Sequence, residues 1–92
     1  MLLKDKVVIV SGIGPGLGQE LSTLAAKEGA KAVVLAARTA AKLDTAEQEI
    51  VDLGLGTKVL KVTTDISDEA QCKVLADSTV AEFGRIDVLF NS

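Results

Sequence analysis

The stretch Val7-Val8-Ile9-Val10-Ser11-Gly12-Ile13-Gly14-Pro15-Gly16-Leu17-Gly18 decides the fold. Its first four residues are β-branched with no polar alternation, the pattern of a strand buried on both faces of a parallel sheet. Glycine then takes every second position from 12 to 18, four of the eight in the chain. Leu17, Leu21, Leu24 and Ala25 follow at helical spacing and predict one face of a helix, with Gly29 placed to end it. A strand running through glycines straight into a helix is suited to an anion. Backbone N–H groups without flanking side chains can approach phosphate oxygens, and the helix dipole points at the same spot. The spacing is G-x-x-x-G-x-G at Gly12, Gly16 and Gly18, with Ser11 ahead of it. G-x-G-x-x-G fails, because residues 17, 19 and 21 are Leu17, Gln19 and Leu21; a P-loop fails, because no Gly-Lys-Ser/Thr follows. The competing reading is a turn that only tightens a strand–helix junction.

Outward from this loop the same alternation repeats. Ala32–Ala36, Val59–Val62 and Ile86–Phe90 read as further strands, the last two each carrying one charge. Leu43, Ala46, Ile50 and Leu53 predict the inner stripe of a second helix, capped by Thr39 and ended by Gly54. Cys72, Leu75, Thr79 and Phe83 predict that of a third, capped by Ser67, with Asp68 and Glu69 in its first turn and Gly84 closing it. The order βαβαβαβ predicts an α/β, Rossmann-type doubly wound parallel sheet ordered 3-2-1-4. Right-handed crossovers then put two helices on one face and one on the other. A face so thinly covered, and an apolar edge at Val88-Leu89-Phe90, lead to the expectation that residues 1–92 are the N-terminal part of one dinucleotide-binding domain, with more chain after Ser92.

Composition excludes several function classes. The chain has 92 residues, a net charge of −3 and ten scattered Lys and Arg, which argues against nucleic acid and anionic membranes as partners. One Cys and no His leave no material for a metal cluster or an internal disulfide. No apolar run approaches the roughly 18 residues of a membrane span, so a soluble, cytoplasmic protein is expected. There is no Tyr, and with His also missing two of the commonest acid–base side chains are absent.

About twenty residues beyond the loop, a dinucleotide fold usually offers a carboxylate to the ribose 2′-hydroxyl of NAD. Here the strand ends Ala36-Ala37-Arg38-Thr39, with no acid in reach. Arg38 presents a planar fork of donors suited to a 2′-phosphate, which favours NADP over NAD; an arginine that merely solvates a strand end is the alternative.

These residues together resemble the amino-terminal half of the short-chain dehydrogenase/reductase family, over essentially the whole chain. Ser11-Gly12-x-x-x-Gly16-x-Gly18 is similar to its T-G-x-x-x-G-x-G loop. Pro15 stands where many NADP-preferring members carry Lys or Arg, while Arg38 matches the other basic position. Thr64-Asp65-Ile66-Ser67 resembles the family's D-V/I motif, whose Asp meets the adenine amino group; unaided, Asp65 reads as an Asx turn. Asn91 resembles the first Asn of N-N-A-G, with Ser92 in place of the second; unaided, Asn91 is a turn former. The resemblance implies cofactor contacts from Gly12, Pro15, Gly16, Leu17, Gly18, Arg38, Asp65, Ile66 and Asn91. It further implies hydride transfer between a nicotinamide and a carbonyl or alcohol carbon, and a homo-oligomer in the complete enzyme. The family's catalytic Ser, Tyr and Lys follow the fourth strand, so no catalytic residue is assigned within this chain and no turnover is expected from it alone. Two other readings stay open: a dinucleotide sensor without chemistry, and a flavodoxin- or receiver-like domain that uses the loop structurally.

Overall fold

β1 (Val7–Ser11) and β2 (Ala32–Ala37) are buried along their entire length, as their unbroken apolar runs predict. In the computed structural model, which describes residues 1–13 and 16–92, they form the centre of a four-stranded parallel sheet ordered β3-β2-β1-β4. β3 (Lys58–Thr63) and β4 (Val88–Asn91) are its edges and are only partly buried. The connecting helices are α1 (Leu17–Lys27), α2 (Ala40–Asp52) and α3 (Glu69–Phe83). Order and direction are those expected from the sequence.

Alternate residues of each strand feed two apolar layers. Val8, Val10, Val33 and Leu35 pack with Ala25, Ala26, Leu43, Ala46 and Ile50 from α1 and α2. Val7, Ile9, Val34 and Ala36 pack with Leu75 of α3. Two helices therefore cover one face and one helix covers the other. Burying a side chain the size of Leu35 or Leu43 contributes about 1.5–3 kcal/mol. Leu89 of β4, on the side with one helix, stays 60% exposed.

The two charges inside the strand patterns have local explanations. Lys61 of β3 reaches Asp44 and Glu47 of α2 at 2.8 and 2.9 Å, which raises its ammonium pKa above the ordinary value through hydrogen bonds to Asp44 first and Glu47 second. Asp87 precedes β4 rather than lying in it, and its Oδ2 accepts the Val7 N–H at 2.8 Å.

Two local expectations need correction. In α1 the buried residues are Gly18, Ser22, Ala25 and Ala26, while Leu17 and Leu24 are 62% and 52% exposed. Small residues let the helix backbone come close to the sheet, and the Ser22 hydroxyl is satisfied by donating to the Gly18 carbonyl at 2.7 Å. Of the expected stripe, Ala25 is buried and Leu21 packs half-buried against the core margin. In α3 the capping residue is Asp68, whose Oδ1 accepts from the amides of Ala70 and Gln71 at 2.9 and 3.2 Å. Ser67 is instead bound to Asp65. Thr39 does occupy the N-cap of α2, but its side chain makes no capping bond. Gly84 ends α3 in the left-handed conformation that glycine adopts without strain.

Candidate nucleotide site

The C-terminal ends of β1, β2 and β3 open onto a cavity of about 590 Å³ lined by Gly12, Ile13, Ala37, Arg38, Thr39, Lys42, Thr64, Ile66 and Ser92. Its position outside the carboxyl ends of parallel strands, where the order reverses between β1 and its two neighbours, is where open α/β sheets bind ligands. Among the described residues its lining holds two cations and no carboxylate.

The three loop glycines that carry the motif serve different ends. At Gly12 (φ +80°) an added Cβ would overlap the Ser92 carbonyl oxygen and lie 2.9 Å from Ser92 Oγ. At Gly18 it would lie 2.5 Å from the Gly12 carbonyl oxygen and 3.0 Å from Ser92 Oγ. These two glycines let the loop, α1 and the end of β4 meet. At Gly16 (φ +102°) a Cβ meets no described atom within 4 Å, so that position faces open space. Gly16 lines a separate shallow recess with Gln19, Glu20, Thr23 and Glu49. The amides of Gly12 and Ile13 both donate to the Ala36 carbonyl, at 3.0 and 3.2 Å. The amides left without intrahelical partners are those of the first turn of α1, beginning at Leu17.

The remaining candidates are distributed unequally. Arg38 and Ile66 line the main cavity. Asp65 stands next to Thr64, a buried cavity residue whose hydroxyl donates to the Val62 carbonyl. One oxygen of Asp65 accepts both the Ser67 hydroxyl at 2.6 Å and the Ser67 N–H at 2.9 Å. These bonds, the hydroxyl first and the amide second, with a more distant pull from Arg38, hold its carboxyl below the usual Asp range. The local Asx turn is therefore present, with the second carboxylate oxygen left for other partners. Asn91 points elsewhere: it lines an apolar trough with Ile9, Ser11, Ile66, Cys72, Leu75 and Leu89, and its Oδ1 accepts the Ser11 hydroxyl at 2.7 Å. Leu17 is exposed at the start of α1. Pro15 lies outside the described residues.

The sequence pattern did not single out Ile13, Thr39, Lys42, Thr64 or Ser92 as cavity residues. Ser92 Oγ lies 2.9 and 3.1 Å from the carbonyls of Ser11 and Gly12 and donates to them, a pairing across 80 residues that no local spacing encodes. Thr39 and Lys42 could have been found from Arg38, because a helix starting there returns its first turn to the strand end.

The family model described as short chain dehydrogenase matches residues 6–92. Levodione reductase of Leifsonia aquatica is 35% identical over 88 residues, 96% of this chain and 33% of the reductase. A short chain dehydrogenase structure from Mycobacterium smegmatis superposes with a TM-score of 0.90 at 36% identity, covering 99% of this chain and 38% of that one. The F189W actinorhodin polyketide ketoreductase, solved with NADPH, gives a TM-score of 0.85 at 28% identity over 96% of this chain and 33% of the ketoreductase. The chain thus spans about a third of the length of these proteins. The strand order, the glycine junction and these likenesses converge: the chain belongs to the short-chain dehydrogenase family of oxidoreductases.

Proposed function

We propose that residues 1–92 form the N-terminal part of a dinucleotide-binding domain, that its ligand is NADP in preference to NAD, and that the protein carrying it interconverts a carbonyl and an alcohol. The observation that carries the cofactor choice is Arg38. It lines the cavity at the end of β2, and no Asp or Glu lines it among the described residues. A guanidinium there matches a 2′-phosphate in charge and geometry, whereas a ribose 2′-hydroxyl calls for an acceptor.

The residues present fit such a ligand. At Gly16 no described atom lies within 4 Å of where a Cβ would stand, beside the positive end of α1, where a diphosphate is stabilised. Ile66 supplies apolar surface for the adenine, and the free oxygen of Asp65 can accept from its amino group. Asn91 stabilises the loop through Ser11, an indirect role. When bound, the nicotinamide carries the hydride. This chain has no Tyr or His to exchange a proton with the substrate oxygen, so its part is to bind and orient the nucleotide. A homo-oligomer in the cytoplasm belongs to the same proposal.

The test is titration of the protein that carries this chain with NADPH and NADH, as wild type and as Arg38→Asp. The expected result is tighter binding of NADPH, with a preference that Arg38→Asp abolishes or reverses. Equal losses for the two nucleotides would show that Arg38 meets no phosphate. Binding without carbonyl-dependent oxidation of NADPH would favour the sensor reading.

A further inference from the structure

Arg38 supplies one positive charge, whereas a phosphate monoester carries about −1.5 to −2 near neutral pH. The second cation of the cavity is Lys42, the third residue of α2. Resting on the NADP reading above, we propose that Lys42 is a second specificity-determining residue, which closes with Arg38 on the ribose 2′-phosphate.

Three observations support this. Arg38, Thr39 and Lys42 line one cavity, so both cations border the same space. Among the described residues neither Arg38 nor Lys42 takes part in an ion pair, a state they share with Lys4, Lys6, Lys27, Lys31 and Lys58, but they alone of these line the cavity. Nor does its own helix offer Lys42 a partner. The positions three and four residues away are Thr39, Arg38, Thr45 and Ala46, and the first turn of α2 has no acidic residue. The two nearest carboxylates of α2, Asp44 and Glu47, are both held by Lys61. Lys42 thus shares a cavity with another cation and stands in the first turn of a helix, where a positive charge is disfavoured. An anion between Lys42 and Arg38 removes that disadvantage. Thr39, whose hydroxyl makes no capping bond, lines the same cavity and can donate to a phosphate oxygen there.

The experiment titrates NADPH and NADH, read by their own fluorescence, into the protein carrying this chain as wild type, Lys42→Gln, Lys42→Arg and Arg38→Gln. Lys42→Gln should weaken NADPH binding about tenfold and leave NADH binding unchanged, while Lys42→Arg keeps the preference. Because the effect is electrostatic, the Lys42→Gln loss should shrink as salt rises. If the wild type does not prefer NADPH, the cofactor reading falls and this inference with it. If the wild type prefers NADPH and Arg38→Gln loses the preference while Lys42→Gln keeps it, the role of Lys42 alone is overturned. Equal weakening of both nucleotides by Lys42→Gln overturns it as well, since Lys42 would then act on the shared part of the ligand or on the fold.

Discussion

The Ser11 hydroxyl donates to Asn91 Oδ1 across 2.7 Å, joining the last residue of β1 to the last residue of β4. Ser11 is buried and Asn91 is exposed, so removing the hydroxyl leaves the amide free to turn to water. Ser11→Ala should therefore cost about 0.5–1.5 kcal/mol, measured as a shift in the denaturant midpoint. Ser11→Thr should cost less, because the hydroxyl is kept. An alanine variant as stable as the wild type would show that the bond contributes nothing net.

The glycines of the loop should separate in their effects. Gly18→Ala drives a methyl against the Gly12 carbonyl, and since both are backbone the clash cannot be relieved by a rotamer change. A stability loss of about 1–3 kcal/mol is expected. Gly16→Val meets no such wall, and its stability cost is limited to the strain of φ +102°, about 1–3 kcal/mol. Its main effect should be loss of binding of both nicotinamide nucleotides, because the side chain projects into the open space where the diphosphate is proposed to lie. Thermal melts and nucleotide titrations on the two variants check the contrast; unchanged affinity in Gly16→Val removes that residue from the site.

At the start of α3, Asp68→Ala should destabilise the protein by about 1 kcal/mol, because two first-turn amides lose their acceptor. Ser67→Ala should cost less and act on Asp65 instead, letting its carboxyl move back toward the ordinary Asp range. Urea unfolding of both variants, with carboxyl titration by NMR for the second, distinguishes the roles. A larger loss from Ser67→Ala would restore Ser67 as the cap.

Asp87 gives a pH dependence with a definite sign. Hydrogen bonding to Arg85 first and to the Val7 N–H second holds its carboxyl below the ordinary value. The charged form is therefore favoured by folding. Its contribution is complete above the ordinary Asp range and disappears as pH falls through the lowered value. Asp87→Asn can still accept from Val7 but loses the Arg85 pairing. The unfolding midpoint, followed from about pH 6 to pH 2, should fall less steeply in Asp87→Asn than in the wild type. Identical slopes would exclude Asp87 as a contributor.

Much of this architecture was legible because its signals are local. The β-branched run at Val7–Val10 carries the pattern of an interior parallel strand, and the glycine that follows each helical stretch set its end. The place of Arg38 on the cavity could be read because the position after a second strand has a fixed place relative to the first loop. The face of α1 was misread because large apolar residues dominate a periodicity argument, while this helix packs through Gly18, Ser22, Ala25 and Ala26. Ser67 and Asp68 are adjacent residues of equal capping ability, and the bonding of Asp65 to Ser67 settles which one caps. Lys42 was invisible because a lysine on a helix reads as solvated until the cavity beneath it is seen.

Four side-chain hydrogen bonds tie the two ends of the chain together, from Val7 to Asp87, Ser11 to Asn91, and Ser92 to the carbonyls of Ser11 and Gly12. Each spans 80 or 81 residues. Contacts of such long separation form late, after the entropy of closing the intervening loop has been overcome. The partners that fix the shape of the glycine junction are made some eighty residues after it. During synthesis the nascent strand and helix therefore lack the partners that complete their junction until β4 has docked beside β1.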